Sequence, residues 1–309
     1  MQLQKFKPFS MRLRRRLVEF DRPVVMGIVN ATPDSFYAPS RNQCYDEVKA
    51  CVETLVADGA DILDVGGYSS RPGAAEVSAS EETDRLAMAM AALRSVAPDI
   101  PVSVDTFRSS VAAAAVEEMG ADIINDISAG DLDPDMFDTV ARLEVPYIAM
   151  HMRGTPSTMQ TLTDYPEKGV AATVAAELSV KLRRLALMGV ADVVVDPGFG
   201  FAKTLEQNYE LMDDLGALIS LLERPVLVGV SRKSMITRAL NITSDRALPA
   251  TTLLNFAALQ QGASILRVHD VAEARQAVEI ASRLGAATPA TVVKLTGNNT
   301  ISFYPEQLP

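Results

Sequence analysis

The segment VVMGIVNATPDSF, residues 24–36, passes directly from a short apolar run into a cluster of polar residues. Five further segments repeat this pattern, and each apolar run has the length of a buried strand. They are ILDVGGYSSRPG at 62–73, VSVDTFRS at 102–109, VVVDPGFGFAK at 193–203, VLVGVSRKS at 226–234 and ILRVHD at 265–270. A barrel of parallel strands brings all strand ends to one face, where such barrels keep their active sites. The recurrence therefore predicts a barrel with a polar site at one end.

Strand-like and helix-like stretches alternate along the chain. The apolar runs predict strands at 24–30, 62–67, 101–105, 123–126, 146–151, 192–197, 225–231 and 265–269. Helices are predicted near 44–58, 80–96, 108–119, 134–143, 167–188, 204–222, 247–261 and 271–284. Eight strands that alternate with helices fit a (β/α)8 TIM barrel of the α/β class. We expect one barrel at residues 23–285, an N-terminal basic arm at 1–22 and a C-terminal extension at 286–309.

A doubly wound open sheet is the structural alternative. Such a sheet has a glycine-rich fingerprint at its first strand-to-helix turn, whereas that turn here is NATPDSF, which contains no glycine. Four helix-like stretches instead end at a glycine, the expected cap before the next strand. These glycines are Gly59, Gly120, Gly189 and Gly262. Near the C-terminus, TVVKL and ISFY predict an extra hairpin or a tail strand packed on the barrel floor.

Composition excludes several classes of protein. The chain has 309 residues and is 48% apolar, which is ample for one large core. Its net charge of −10 argues against nucleic acid as a general partner, because such partners need a basic surface. No apolar run approaches the roughly 20 residues that span a bilayer, so no membrane partner is expected. Cys44 and Cys51 match neither a metal site nor a disulfide framework, which predicts a reducing, cytoplasmic location.

The N-terminal arm is basic but lacks the hydrophobic region of a secretory signal. Its basic residues are Lys5, Lys7, Arg12, Arg14, Arg15 and Arg16. A solvated extension is the simpler interpretation. A contact for an anionic ligand or a partner subunit is the alternative.

Side chains alternate between the two faces of a strand, so the spacing of residues shows which of them share a face. Pairs on one face are Ser103 with Asp105, Ile123 with Asn125, Ser231 with Lys233, and Ile265 with Arg267 and His269. If these faces point inward, two carboxylates, two amides and three potential cations collect at the barrel mouth. They are Asp105, Asp196, Asn30, Asn125, Lys233, Arg267 and His269. Such a set suits an uncharged polar ring beside an anionic leaving group.

Each of these residues also has a structural explanation. Asp105 could cap the helix that begins near Phe107, and Asp126 has the same potential role. His269 and His151 could anchor turns, although both histidines of the chain lie at strand ends. The loops at 67–73 and 196–203 could bind an anion through backbone N–H groups or could be ordinary turns.

Eight motifs occur in the order that characterises one enzyme family. They are MGIVNATPDSF, GGYSSRPGA, VSVDT, NDIS, MHMRGTP, DPGFGF, VGVSRKS and RVHD. Over roughly residues 23–285 the chain resembles the dihydropteroate synthases. The resemblance implies a barrel, usually a homodimer, that acts as a transferase in folate biosynthesis. It would condense 6-hydroxymethyl-7,8-dihydropterin diphosphate with 4-aminobenzoate to give 7,8-dihydropteroate and diphosphate.

The resemblance also implies a role for each matching residue. Asn30 matches a Mg²⁺ ligand in the first loop, so Mg²⁺ is the expected cofactor. At the pterin, Asp105, Asn125 and Asp196 match ring-binding groups, Met150 matches a pocket wall, and Phe201 and Lys233 match residues between pterin and aminobenzoate. Elsewhere, Ser70 and Ser231 match aminobenzoate contacts, Arg71, Arg267 and His269 match the diphosphate site, and Pro72 completes the Arg-Pro pair of the second loop. The catalytic set implied in this way is Asp105, Asp196, Lys233, Arg267 and His269.

The implied chemistry accounts for these residue types. As diphosphate leaves the benzylic-like pterin carbon, positive charge spreads into the ring, where fixed carboxylates would stabilise it. The cations and Mg²⁺ would stabilise the leaving diphosphate. The attacking aromatic amine is already neutral at pH 7, so no strong general base is needed. Because Mg²⁺ combines few protein oxygens with substrate phosphates, one amide from Asn30 can suffice.

Two motifs depart from the family pattern. In the second loop, Tyr68 replaces a Glu and Ser70 replaces a Thr, and the first loop continues with YAPSR instead of SDGG. These changes concern the affinity for aminobenzoate and its sulfonamide analogues. Loops 31–43 and 68–76 are expected to close over bound diphosphate and to complete the aminobenzoate site.

Two other classes of function remain as alternatives. The methyltetrahydrofolate-binding module of corrinoid methyltransferases shares the pterin aspartates but needs no diphosphate-binding residues. Residues that favour the synthase over this module are Arg71, Lys233, Arg267 and His269. The complete set of site residues argues against a paralogue that only binds pterin or a partner.

Overall fold

The computed structural model describes residues 6–14, 16–31, 41–69, 76–166, 168–286, 292–296 and 300–304. An antiparallel pair of strands, β1 (Phe9–Leu13) and β2 (Arg16–Phe20), precedes a set of eight parallel strands. The eight are β3 (Val24–Asn30), β4 (Ile62–Gly66), β5 (Val102–Asp105), β6 (Ile123–Asp126), β7 (Tyr147–Met150), β8 (Val193–Asp196), β9 (Leu227–Val228) and β10 (Ile265–Val268). They are almost entirely buried, as expected of parallel strands that are covered by helices.

The parallel strands close into a barrel. Neighbours follow the order β8-β7-β6-β5-β4-β3-β10-β9. A parallel bridge between Val195 and Val226 joins the two ends of this order, and the Val195 N–H donates to the Pro225 carbonyl at 2.9 Å. Closure leaves no unpaired sheet edge. The (β/α)8 TIM barrel predicted from the sequence is confirmed.

Ten helices of the described chain surround the barrel. They are α1 (Arg41–Ala57), α2 (Ala79–Val96), α3 (Ser109–Glu117), α4 (Met136–Leu143), α5 (Val170–Leu187), α6 (Leu205–Asp213), α7 (Leu215–Leu222), α8 (Ser234–Leu240), α9 (Leu248–Gln260) and α10 (Val271–Ala286). Their inner faces and the outward strand residues form one apolar core. All four predicted glycine caps are confirmed by left-handed φ values between 71° and 95°. Among the described helices, none is both long and apolar enough to cross a membrane.

The single helix predicted over 204–222 is wrong, because the chain forms two helices that meet at Asp214. A side chain from a distant part of the sequence causes this break. The amide of Gln261 accepts from the Gly216 N–H at 2.9 Å and donates to the Met212 carbonyl. In a continuous helix, those two backbone groups would bond to each other. Insertion of a side chain between them interrupts the helix at this point.

The N-terminal arm packs on the barrel floor through Met11 and Leu13, so its interpretation as a solvated extension is wrong at these residues. Met11 and Leu13 are 1% and 3% exposed and join an apolar layer inside the barrel. That layer consists of Val24, Met26, Ile62, Ile123, Ile148, Val194, Leu227 and Ile265. Arg14 holds the hairpin in place, since its Nε donates to Asp122 Oδ1 at 3.1 Å. The floor of the barrel is therefore closed and apolar, which leaves the opposite end for a polar site.

The C-terminal segment forms a hairpin of its own, as one of the two alternatives for TVVKL and ISFY predicts. Strand β11 (Val292–Thr296) pairs antiparallel with β12 (Thr300–Tyr304). The division into an arm, a barrel and an extension stays a prediction.

Candidate active site

Three strand ends meet around Arg267 inside the barrel mouth. Its Nε donates to Asp64 Oδ2 at 2.6 Å, and its Nη2 donates to Asp105 Oδ2 at 2.8 Å. Asn125 Nδ2 also donates to Asp64 Oδ2, at 3.2 Å. Strand alternation predicts that Asp105, Asn125 and Arg267 face inward, and these contacts confirm it. One cation, two carboxylates and one amide thus form a connected polar layer above the apolar floor.

Asp64 is the most deeply buried member of this layer. Its side chain is 0% exposed, and its Oδ1 has no hydrogen-bond partner among the described residues. Asp64 is not among the site residues predicted from the sequence, although alternation along ILDVGG gives it an inward position, two residues before Gly66. Asp64 therefore holds the Arg267 guanidinium from the inner side, and only part of this guanidinium faces the mouth.

Asp105 lies where ionisation of its side chain is costly. Burial raises the pKa of this carboxyl to about 7, even though the neighbouring Arg267 opposes the shift. The alternative role as a helix cap does not apply, because the N-cap of α3 is Arg108, with no side-chain cap. Asp105 can therefore gain or lose a proton near neutral pH, which suits contact with a ring that has both donors and acceptors.

Asp126 has a structural role on the opposite face of the same strand end. Its carboxylate accepts from the Tyr147 hydroxyl at 2.7 Å and from the Ser128 and Gly130 N–H groups, both at 2.8 Å. It faces the helices and holds the turn after β6. Of these two adjacent residues, Asn125 thus belongs to the site, whereas Asp126 stabilises the turn outside it.

Asp196 and Lys233 lie beside Arg267, since a Cβ on Gly229 would be 3.8 Å from Arg267 Cβ and 3.9 Å from Lys233 Nζ. The Gly198 N–H donates to Asp196 Oδ1 at 2.7 Å, and burial raises the pKa of Asp196. Lys233 Nζ donates to the Phe199 carbonyl at 2.6 Å and lies 4.8 Å from the centre of the Phe201 ring. Burial lowers the pKa of Lys233 to about 8 although Asp196 is near. A carboxylate, an ammonium and an aromatic face therefore lie together on this side.

Ser231 and His269 are joined by a hydrogen bond of 3.0 Å between Oγ and Nδ1. The strand predicted at 225–231 ends at Val228, so alternation does not explain why Ser231 and Lys233 both lie at the mouth. A turn explains it, since Arg232 between them has a left-handed φ of 56°. Arg232 is held outside by Asp270, to which its Nε donates at 3.0 Å.

An apolar wall borders the polar groups on the side of β6 to β8. Met150, at the end of β7, is 4% exposed and packs with Ile127 and Met152. The half-buried rings of Phe107 and Phe201 pack against the same cluster. A flat ring could therefore bind between this wall and the carboxylates.

Asn30 ends β3 with a half-buried side chain. Among the residues that the structure describes, no side-chain hydrogen bond to the Asn30 amide is found, and an amide oxygen is a suitable ligand for a hard cation. Within the described residues there is no cluster of three or more His, Cys, Asp or Glu side chains that could hold a metal by itself. A hard cation at Asn30 would thus need oxygens from water and from a bound ligand, which is how Mg²⁺ is commonly held.

Part of the predicted site lies outside the described residues. Ser70, Arg71 and Pro72 belong to this part, as does most of the first loop, residues 32–40. Tyr68 is described, and its ring makes an edge contact with Phe107 at 5.2 Å between centroids. The residue that departs from the family pattern therefore packs beside the apolar wall.

A family model for pterin binding enzymes matches residues 26–269. Dihydropteroate synthase of Escherichia coli (strain K12) is 39% identical over 266 residues, which cover 85% of this chain and 92% of the relative. The chain belongs to the dihydropteroate synthase family. It spans about half the length, 48% and 53%, of two plant folate synthesis bifunctional proteins that it also matches.

Solved structures of the family share the fold. A Yersinia pestis dihydropteroate synthase with a sulfonamide drug complex superimposes with a TM-score of 0.82 at 35% identity, covering 90% of this chain and 100% of the other. A Xanthomonas albilineans dihydropteroate synthase with 4-aminobenzoic acid gives a TM-score of 0.82 at 36% identity, covering 90% and 98%. At 35% and 36% identity, these two structures support both the family assignment and the barrel fold.

The charge state of Asp105 gives a test of the electrostatics. In the unfolded chain an Asp ionises near pH 4, whereas in the folded protein the pKa of Asp105 is about 7. A raised folded-state pKa favours folding at low pH, and this contribution is lost as the pH rises toward 7. We therefore expect the unfolding free energy of wild type, relative to Asp105→Asn, to fall between about pH 4 and 7 and then to level off.

Urea denaturation across this pH range measures the difference. Asp46→Asn, which changes an exposed carboxylate on α1, is the matched control and should show no such trend. If the difference in unfolding free energy between wild type and Asp105→Asn does not vary with pH, the raised pKa of Asp105 would be contradicted.

Proposed function

We propose that this chain catalyses the dihydropteroate synthase reaction. It condenses 6-hydroxymethyl-7,8-dihydropterin diphosphate with 4-aminobenzoate to give 7,8-dihydropteroate and diphosphate. The observation that supports this most is the convergence of Asp105, Asn125, Asp196, Lys233 and Arg267 in one barrel mouth. Family membership supports the same reaction, and a relative from Xanthomonas albilineans has been solved with 4-aminobenzoic acid.

The pterin ring would bind between the apolar wall and the carboxylates. Asp105, Asn125 and Asp196 offer acceptors and a donor to the polar edge of the ring, while Met150 and Phe201 contact its faces. When the bond to diphosphate breaks, positive charge spreads into the ring. Fixed carboxylates stabilise that charge without reorganising, which lowers the barrier to bond cleavage.

The leaving diphosphate would lie on the cationic side of the mouth. The exposed part of the Arg267 guanidinium, together with His269 and Arg71, would bind its oxygens. Lys233 and Phe201 lie between the two substrates and would orient the amine of 4-aminobenzoate, with Ser231 and Ser70 near its carboxylate. Because the amine is neutral at pH 7, the residues need only position it for attack and exclude water.

Mg²⁺ would be held by Asn30 and by oxygens of the diphosphate. The half-buried amide at the end of β3 fits this role, since Mg²⁺ prefers oxygen ligands and commonly shares its coordination between protein and phosphate. Bound there, the ion would neutralise charge on the leaving group.

The assembly and the location follow as further proposals. Leu253 on α9 is 70% exposed, and Ile280 on the neighbouring α10 is 52% exposed, which supports a homodimer through these helices. Two free cysteines, Cys44 and Cys51, support a reducing, cytoplasmic location. Sulfonamides would compete for the aminobenzoate site, as the Yersinia pestis relative solved with a sulfonamide drug suggests.

Diphosphate release in the presence of both substrates tests the proposed reaction, and Asp105→Ala and Asp196→Ala test the site. Each variant should bind the pterin diphosphate more weakly, by roughly 1.5–3 kcal/mol, because each loses a charged hydrogen bond. Calorimetry measures this affinity. Asp138→Ala, an exposed change on α4, should leave it unchanged. Wild-type affinity in both Ala variants would contradict the assignment.

The metal prediction concerns Asn30. Activity should vanish in excess chelator and return with added Mg²⁺, because the leaving diphosphate needs its charge neutralised. Asn30→Ala should raise the Mg²⁺ concentration that gives half-maximal rate, with little change at saturating Mg²⁺. Full activity in excess chelator, or an unchanged Mg²⁺ requirement in Asn30→Ala, would be the contrary result.

A further inference from the structure

Lys203 is a buried lysine next to the pocket wall, close enough to Asp196 for its charge to lower the pKa of that carboxyl. It lies two residues before α6 and is only 4% exposed. Its Nζ lies 3.1 Å from His151 Nδ1, 3.0 Å from the Gly198 carbonyl oxygen and 3.1 Å from the Phe201 carbonyl oxygen. An ammonium has three N–H donors and no acceptor, so these contacts use all of them. A buried ammonium whose three donors all bond to the protein indicates a specific structural role.

The contact with His151 defines the state of the imidazole. When Lys203 is an ammonium, which only donates, His151 Nδ1 is the acceptor and Nε2 has the proton. Nε2 then donates to Glu177 Oε2 on α5, at 2.9 Å. Burial lowers the pKa of His151 to about 4, which agrees with a neutral ring. The other oxygen of Glu177 accepts from Arg153, so the chain of contacts extends from Lys203 to the protein surface.

A second tether reaches the same loop from the other side. The Arg153 guanidinium lies 4.1 Å from the centre of the Tyr165 ring, and the Tyr165 hydroxyl donates to the Ala202 carbonyl at 3.0 Å. Residues 197–203, the β8 loop, therefore have three carbonyls held by Lys203 and Tyr165.

The β8 loop forms one wall of the pocket. Its Gly198 N–H fixes Asp196, and Phe201 lies against Lys233. Its backbone is also unusual, since Ala202 has a left-handed φ of 48°. A Cβ on Gly198 would lie 1.9 Å from the His151 carbonyl oxygen, so the loop lies directly on the end of β7. A backbone under such constraint keeps its form only where its surroundings fix it.

We propose that Lys203, together with His151 and Tyr165, is a positioning residue that fixes Asp196 and Phe201 for the pterin substrate. The inference rests on the proposed function. Lys203 itself contacts no substrate, because its three donors are used by the protein. Its effect reaches the pocket through the backbone of the β8 loop and through its charge, which lowers the pKa of Asp196, whereas Tyr165 acts through the backbone alone.

Kinetics and calorimetry of Lys203→Met test this role. Met keeps the length of the side chain but removes every donor, so the KM and the Kd for pterin diphosphate should rise about tenfold or more, as expected when a binding group is misplaced. The kcat should change less. Assays at about pH 6 keep the wild-type ammonium protonated, since burial lowers the pKa of Lys203 to about 7. Tyr165→Phe, which removes one hydroxyl, should cause a smaller rise and keeps the test valid if Lys203→Met does not fold.

Lys181→Met is the matched control. Lys181 also donates to a loop carbonyl, that of Ser128, at 2.8 Å, but outside the pocket wall. Lys181→Met should leave the KM and the Kd for pterin diphosphate unchanged. Unaltered KM and Kd in folded Lys203→Met and in Tyr165→Phe would overturn the positioning role. Wild-type protein that releases no diphosphate would contradict the proposed function instead, and the Kd of the pterin diphosphate would still decide the role of Lys203.

Discussion

The position of Arg267 between Asp64 and Asp105 is the constraint on which the site depends. A buried guanidinium is stable only when its charge is paired, and removing one partner of such a pair costs about 3–5 kcal/mol. Here the pairing distances are 2.6 Å and 2.8 Å. The three residues come from β10, β4 and β5, with β3 between β10 and β4. Because β5, β4, β3 and β10 are consecutive neighbours in the barrel, the strand order brings these three residues together.

The barrel separates two environments along its axis. Its floor is apolar and is closed by Met11 and Leu13 of the hairpin, whereas its mouth holds the ionisable groups. Burial at the mouth moves the pKa of Asp105 and the pKa of Lys233 toward neutrality. Groups whose pKa lies near neutrality can be charged or neutral, depending on the ligand that binds. A pocket in which carboxylates and cations lie side by side fits a ring that becomes positive as an anion leaves.

Much of this arrangement is predictable from the sequence, because it depends on local patterns. The apolar runs give the strands, and alternation gives the inward positions of Asp105, Asn125 and Arg267. The features that the sequence analysis missed depend on contacts between distant segments. Gln261 breaks the helix at Asp214, and Lys203 contacts His151, which is 52 residues away. Asp64 was accessible to the same alternation argument, but nothing local distinguishes it from a strand residue that is merely buried.

The most direct measurement concerns Asp64, through which the barrel orients Arg267. Calorimetry would compare the binding of 6-hydroxymethyl-7,8-dihydropterin diphosphate and of the same pterin without diphosphate, in wild type and in Asp64→Asn. Asn keeps the shape of the side chain but removes the charge that orients Arg267. The account predicts a clearly larger loss of affinity for the diphosphate than for the free pterin. Equal losses for both ligands, or no loss for either, would contradict it.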